Sequence, residues 1–242
     1  MILRLFCHSP LANNTLTLTK SQIQHVKVLR IDSGHTLELI EHETVFTVRC
    51  TSLKKDKLSF ELLNSEKPKT KKTFITLVQA LPKADKMTDI IRCCTELGVD
   101  EFVPVITHRV QAQFKASNEK INRWQLTAES AASQSRQIRI PEVHPVSNLN
   151  EWPKHCPINL ETFDCKLVFW EENTVDSLKN QIAKYKSVNR IVIVIGPEGG
   201  LDKVDVATFQ KLGFSEAHLG STILRVEHAG LVAVSQILFA TQ

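Results

Sequence analysis

The stretch RIVIVIGPEGGL, Arg190 to Leu201, decides how the chain folds. Its apolar run from Ile191 to Ile195 leaves no polar position for water, which marks a strand buried on both faces, as in a parallel sheet covered by helices. The strand runs straight into Gly196-Pro197-Glu198-Gly199-Gly200. In open α/β sheets ligands bind at such carboxyl-end loops, and glycines let them approach the backbone closely. The composition disfavours a phosphate cradle: Pro197 has no N–H to donate, and Glu198 would set a negative charge beside a phosphate. Neither G-x-G-x-x-G nor a G-K-[ST] ending is present. The loop suits a cationic or neutral ligand.

Working outward, the runs FITLVQAL, EFVPVI, KLVFW and AHLG alternate with the amphipathic stretches DKMTDIIRCCTELG, EKINRWQLTAESAASQSR, TVDSLKNQIAKY, KVDVATFQKLG and RVEHAGLVAVSQILFATQ. Short β-rich segments separated by helices predict an α/β domain over residues 74–242, with a parallel sheet and helices on both faces. A second strand-end loop, Leu219-Gly220-Ser221-Thr222-Ile223-Leu224-Arg225, leads into the last helix, and two adjacent loops at one sheet edge make a cleft. Ser221 is not a hydrolase nucleophile, because G-x-S-x-G and its strand-to-helix elbow are missing. In the last helix Leu231, Val232, Val234, Ile237, Leu238 and Phe239 wrap most of the circumference. Such a helix is expected to be buried on more than one side, and a homodimer is the expected cover.

Residues 1–66 read differently. HTLELIEHETVFTVRCTSL and KLSFELL alternate with period two, and the helical SQIQHVKVLR, with Thr19 or Ser21 as cap, interrupts them. This predicts a small β-rich, barrel-like domain. Residues 67–73 follow as a linker, with Lys67, Lys69, Lys71 and Lys72 around one proline.

The whole chain sets weaker bounds. Its 242 residues suffice for one large or two modest domains, and 42% hydrophobic with 23% charged residues describes a folded globular chain. The net charge of +4 is compatible with a polyanionic partner but does not demand one. The six cysteines have no C-x-x-C pair or regular framework and read as reduced thiols, with no metal site expected. MILRLFCHSP is too quickly interrupted for a signal peptide, and no stretch approaches the ~18 apolar residues of a spanning helix, so a cytoplasmic location is expected.

The blocks IGPEGGL (195–201), LGSTILRVE (219–227), ALPKADKM (80–87), TELGV (95–99) and RWQ…SQSRQIRIPEV (123–143) resemble the RsmE family of 16S rRNA uridine-N3 methyltransferases, in the SPOUT superfamily. HVKVLRIDSGHTLEL (25–39) also resembles that family's N-terminal PUA-like RNA-binding domain, so the likeness spans nearly the whole chain. The resemblance implies a trefoil-knotted C-terminal sheet, which general topology rules would argue against. It further implies a homodimer, S-adenosyl-L-methionine as methyl donor, and 16S rRNA within the assembled small ribosomal subunit as substrate. By similarity Gly196, Glu198, Gly199, Gly200, Leu219, Gly220 and Leu224 form the cofactor pocket. The competing readings are a SPOUT methyltransferase acting on another RNA site and a noncatalytic RNA-binding assembly factor.

Methylation at N3 requires the uracil anion, since N3–H titrates only at roughly pH 9 to 10, near the phenolic range. A cation near the uracil oxygens stabilises that anion, and Arg225 is the expected group, with Glu227 as its orienting partner or as a base. For RNA, Arg123, Arg136 and Arg139, with Gln134 and Ser135 between them, offer guanidinium contacts. Lys83 and Lys86, and Arg30 in the first domain, add charge. The chain departs from the family's usual R-T-E-T-A at Arg225-Val226-Glu227-His228-Ala229, where His228 is the polar alternative to the missing hydroxyls. It also carries Ala84 where the block LPK-G-x-K-M has glycine, which predicts a backbone there that does not require positive φ.

Overall fold

A computed structural model describes residues 2–69, 73–110, 117–172, 176–185 and 187–241. Lys71 and Lys72 of the expected linker lie outside the described residues. The chain divides into two compact units, Met1–Thr70 with Ala132–Arg139, and Lys71–Ala131 with Ile140–Gln242.

The first unit holds β1 (Leu3–Phe6), β2 (Thr15–Thr17), α1 (Lys20–Val28), β3 (Thr36–Glu41), β4 (Thr44–Lys54) and β5 (Lys57–Glu66). Its sheet runs β1-β3-β4-β5-β2, with β1 parallel to β3 and the other pairs antiparallel. Period-two patterning sends Leu37, Leu39, Val48, Cys50, Leu58 and Phe60 inward against Leu3, Leu5 and Val26. Register shifts at Thr47/Val48 and Cys50/Ser52 bend the long β4–β5 ribbon, and the curled sheet fits a barrel. Thr19, not Ser21, caps α1. Its Oγ1 accepts from the Gln22 amide at 3.2 Å, and the Gln22 side chain accepts from the Thr19 amide at 3.0 Å. Arg4, only 8% exposed, ties Ala132–Arg139 to this sheet: it pairs with Glu38 at 2.6 Å and donates to the Arg136 carbonyl at 2.6 Å.

The second unit is built from β6 (Phe74–Ala80), α2 (Lys86–Leu97), β7 (Glu101–Ile106), α3 (Asn118–Gln134), β8 (Glu142–Val143), β9 (Ser147–Asn148), α4 (Trp152–His155), β10 (Cys165–Phe169), α5 (Leu178–Ile182), β11 (Arg190–Ile195), α6 (Lys203–Lys211), β12 (Ser215–Ala217) and α7 (Val226–Thr241). The last turn of α3 belongs to the Ala132–Arg139 segment of the first unit. The sheet order is β12-β10-β11-β6-β7-β8, with β9 also beside β7, and every pairing is parallel.

The apolar run of β11 now has its reason. Ile191, Ile193 and Ile195 face one core layer with α2, α3 and α7 residues such as Met87, Ile90, Trp124, Ala233 and Ile237. Val192 and Val194 face the opposite layer with Trp152, Val206 and Phe209. Both faces are covered, as the sequence pattern predicts.

Three local expectations are corrected. The strand expected at AHLG ends earlier, at Ala217, leaving His218–Gly220 to the loop. The helix expected from Thr174 to Tyr185 spans only Leu178–Ile182, capped by Ser177, and Thr174 and Val175 lie outside the described residues. Ala84 has φ +56, so the backbone does adopt the left-handed conformation, and alanine bears a cost there that glycine would not. Ala84→Gly is therefore expected to raise stability by about 0.5–1 kcal/mol in denaturant melts, and a loss of stability would contradict this account.

Helix α7 buries Val226, Gly230, Ala233, Val234 and Ile237. At Gly230 a Cβ would come within 3.2 Å of Leu77 and 3.4 Å of Cys94, so glycine permits the close approach of α7 to the layer beneath it. Burial on all sides is not found within one chain: Leu231, Val232 and Leu238 are half-buried, and Phe239 is 91% exposed.

Candidate active site

The carboxyl ends of β10 and β11 and the loop after β12 open into one cavity of about 560 Å³. Gly196, Glu198 and Gly200 line it from the loop after β11, and Leu219, Gly220 and Leu224 line it from the loop before α7. Lys86, Arg225 and Glu227 join the same wall. Gly199 is not among the lining residues; its carbonyl accepts a hydrogen bond from Arg109 instead.

The loop after β11 is held from several directions. Gln79, fully buried on β6, donates through Nε2 to the Ala80 carbonyl at 2.9 Å and the Gly196 carbonyl at 3.3 Å. Asp202 caps α6, accepting from the Val204 and Asp205 amides at 2.9 Å each, and pairs with His108 Nδ1 at 2.6 Å. The His108 amide donates to Asp205 at 3.0 Å, so residues 108 and 109 after β7 bind both the loop and the helix it enters. Gly200 has φ +68, and a Cβ there would lie 1.7 Å from Glu171 Oε1. The positive φ favours glycine here, and any side chain would also have to displace the Glu171 carboxylate.

A charge cluster forms at the inner wall. The Lys86 ammonium lies 3.1 Å from Glu198 Oε1 and 3.3 Å from Glu227 Oε2. The second contact is an ion pair without hydrogen-bond alignment, since Oε2 of Glu227 accepts no hydrogen bond among the described residues. Glu198 also accepts from the Lys83 amide at 3.0 and 3.1 Å. Burial would raise its carboxyl, but the Lys83 and Glu198 amides and the Lys86 ammonium together hold it below the usual range. Glu227 is lowered by its own amide and then by Lys86. Lys86 is raised, chiefly by Glu198 and further by Glu227.

This corrects one expectation. The ion partner of Glu227 is Lys86 and not Arg225, which is exposed and has no carboxylate partner among the described residues. Lys86, an expected RNA contact, lines the cavity between two carboxylates. His228 is exposed and does not line the cavity; the lining histidine is His218, whose Nδ1 accepts from the Gly220 amide at 3.2 Å.

The other expected RNA contacts are surface groups. Lys83 is exposed, Arg123 pairs with Asp85 at 2.7 Å, and Arg139 pairs with Glu43 at 2.8 Å. Arg30 and Arg136 are exposed with φ of +53 and +60. Such exposed pairs contribute little to stability and exchange readily for other anions. Among the described residues Glu101, Glu142 and His144 hold ligand-type atoms within 4.8 Å of one another, away from the cavity lining, with Glu101 already accepting from the Thr76 hydroxyl.

Sequence reasoning missed Phe169, Trp170 and Glu171, which line the cavity just where β10 ends. The signal was present in the rule that ligands gather at strand carboxyl ends, applied to the KLVFW run.

The family model of an RNA methyltransferase domain matches residues 69–238. A Bacillus subtilis protein named ribosomal RNA small subunit methyltransferase E is 30% identical over 94% of this chain and 91% of its own length. A Mesomycoplasma hyopneumoniae protein of the same name is 27% identical over 93% of this chain and 94% of its own. The Neisseria gonorrhoeae ribosomal RNA small subunit methyltransferase E, solved bound to S-adenosyl methionine, superposes with a TM-score of 0.85 at 26% identity, covering 100% of this chain and 98% of that one. With strand-end loops, cavity and relatives in agreement, the chain belongs to the RsmE family of RNA methyltransferases.

Proposed function

We propose that the chain transfers a methyl group from S-adenosyl-L-methionine to N3 of a uridine in 16S rRNA, acting in the cytoplasm on the assembled small subunit. The observation that carries this reading is the cavity walled by the two loops after β11 and β12, with Lys86 and Arg225 in its lining. Its volume lies within the range of small-molecule sites. The residues fit the cofactor: Gly196, Gly200, Leu219, Gly220 and Leu224 offer backbone groups to an adenine and an amino-acid tail, and Glu171, Glu198 and Glu227 in the wall disfavour a polyphosphate. When bound, the sulfonium supplies an electrophilic methyl.

The chain's own groups then divide the work. Arg225, without a carboxylate partner among the described residues, is available to stabilise the uracil anion. Glu227, lowered by its amide and by Lys86, is a weaker base than an ordinary carboxylate and serves to orient. Arg30, Lys83, Lys86, Arg123, Arg136 and Arg139 are the proposed RNA contacts, and Lys86 also holds the two carboxylates of the cavity wall. The first unit corresponds to the PUA-like domain at residues 1–66, followed by the linker at 67–73. The methyltransferase domain at 74–242 takes the trefoil-knotted SPOUT form. A second copy covering Phe239 and the outer side of α7 gives the homodimer.

Small subunits lacking the modification, incubated with the protein and methyl donor, are expected to show a new reverse-transcription stop at one uridine, because N3 methylation blocks the pairing edge. No stop despite measurable cofactor binding would overturn the proposed target.

A further inference from the structure

Three carboxylates and two cations, Glu171, Glu198, Glu227, Lys86 and Arg225, are the charged side chains of the cavity wall. Two of the carboxylates, Glu198 and Glu227, are engaged by Lys86. Glu171 is different: it is exposed and makes no hydrogen bond or ion pair among the described residues. Its carboxylate lies over Gly200 so closely that a Cβ there would be 1.7 Å from Oε1 and 2.7 Å from Cδ. A glycine with φ +68 thus provides the space for an unneutralised carboxylate at the rim of the site. The wall as a whole carries one excess negative charge.

We infer that Glu171 lets the cavity distinguish the cationic sulfonium cofactor from its neutral thioether product. The inference rests on the methyltransferase reading. In the reaction the S–CH3 bond breaks, its electron pair stays on sulfur, the methyl bonds to uracil N3, and the N3 proton leaves to solvent. The cofactor therefore loses its one net positive charge at the moment of transfer. A carboxylate with no internal cation attracts the charged form and gains nothing from the neutral one, so product leaves a wall that no longer holds it. A fully neutralised wall would bind both forms alike and let product accumulate as an inhibitor. Glu171 stands at the strand end, outside the Lys86 cluster, and so sets specificity while the Lys86 group sets geometry.

Calorimetric titration of the intact protein and of Glu171→Gln tests this with three ligands: S-adenosylmethionine, S-adenosylhomocysteine, and the amine analogue sinefungin, which carries a cationic group in place of the methylated sulfur. Glutamine keeps the shape and removes the charge, and unfolding curves without ligand are expected to superimpose. The substitution is expected to weaken the two cationic ligands about tenfold and to leave the thioether within about twofold. The preference of the intact protein for the sulfonium is expected to shrink as salt rises. Equal weakening of all three ligands would overturn the inference, since Glu171 would then hold a group they share, and so would no change in any. Failure of the intact protein to bind any of the three would sink the methyltransferase reading itself.

Discussion

Lys86→Met is expected to lower the rate of methyl transfer by about two orders of magnitude while the protein stays folded. The ammonium is the common partner of Glu198, in the loop after β11, and Glu227, on the first turn of α7. Its removal leaves two carboxylates facing one cavity with nothing between them, and their repulsion spreads the two loops that form the site. Displacements of about an ångström in a reactive geometry cost on the order of 10²-fold. The methionine stem keeps the packing of the lysine chain, so the loss reports charge and not volume.

The pH profile separates this from a general loss of structure. Glu198 and Glu227 have folded-state carboxyls below their ordinary values. Ionised, they favour the folded site at pH above the ordinary carboxylate range of about 4.3, and that contribution is lost as pH falls through the lowered values. Without Lys86 both carboxyls rise, so the acid limb of both activity and stability moves to higher pH. Lys86→Arg restores the charge and is expected to recover part of the rate. Unchanged turnover and an unmoved acid limb in Lys86→Met would rule the clamp out.

The second large effect is expected at Gly200→Ala. A Cβ at this position meets Glu171 Oε1 at 1.7 Å, and the residue must also keep φ +68. The left-handed conformation alone costs an alanine about 1–2 kcal/mol, and relief of the clash requires either Glu171 or the loop to move. Cofactor affinity is expected to fall by at least about tenfold with a visible drop in melting temperature. The neighbouring Gly199→Ala is the control, because its Cβ meets nothing nearer than the Arg109 side chain at 3.8 Å. Equal behaviour of the two alanine variants would show that Gly200 is not special.

These contrasts show which parts of the molecule sequence reading reaches. Continuous apolar runs revealed β6, β7, β10 and β11 because burial on both faces leaves few polar positions, and Thr19 with Gln22 was a recognisable cap. The grouping of Ala132–Arg139 with the first unit was hidden, since it depends on the buried Arg4 reaching residues 132 positions away. Side-chain geometry was hidden for the same reason. Lys86 looks like any lysine beside a strand end until the fold sets Glu198 and Glu227 on either side, and Glu171 gains meaning only from the glycine beneath it. Ala84 shows the converse limit: a substitution read as relaxing a backbone requirement is instead tolerated at a cost.

The pairing of β6 with β11, Phe74 against Arg190 through Gln79 against Ile195, has a kinetic consequence. These two strands lie side by side at the centre of the sheet although more than a hundred residues separate them in the chain, and β11 must enter between β10 and β6 for the sheet to exist. Contacts of such long range bear their loop-closure entropy before any stabilisation follows, so the second unit belongs among slow folders with exposed apolar strands on the way. The cavity wall contributed by the loop after β11 requires that insertion, so the ligand site depends on the longest-range pairing of the sheet.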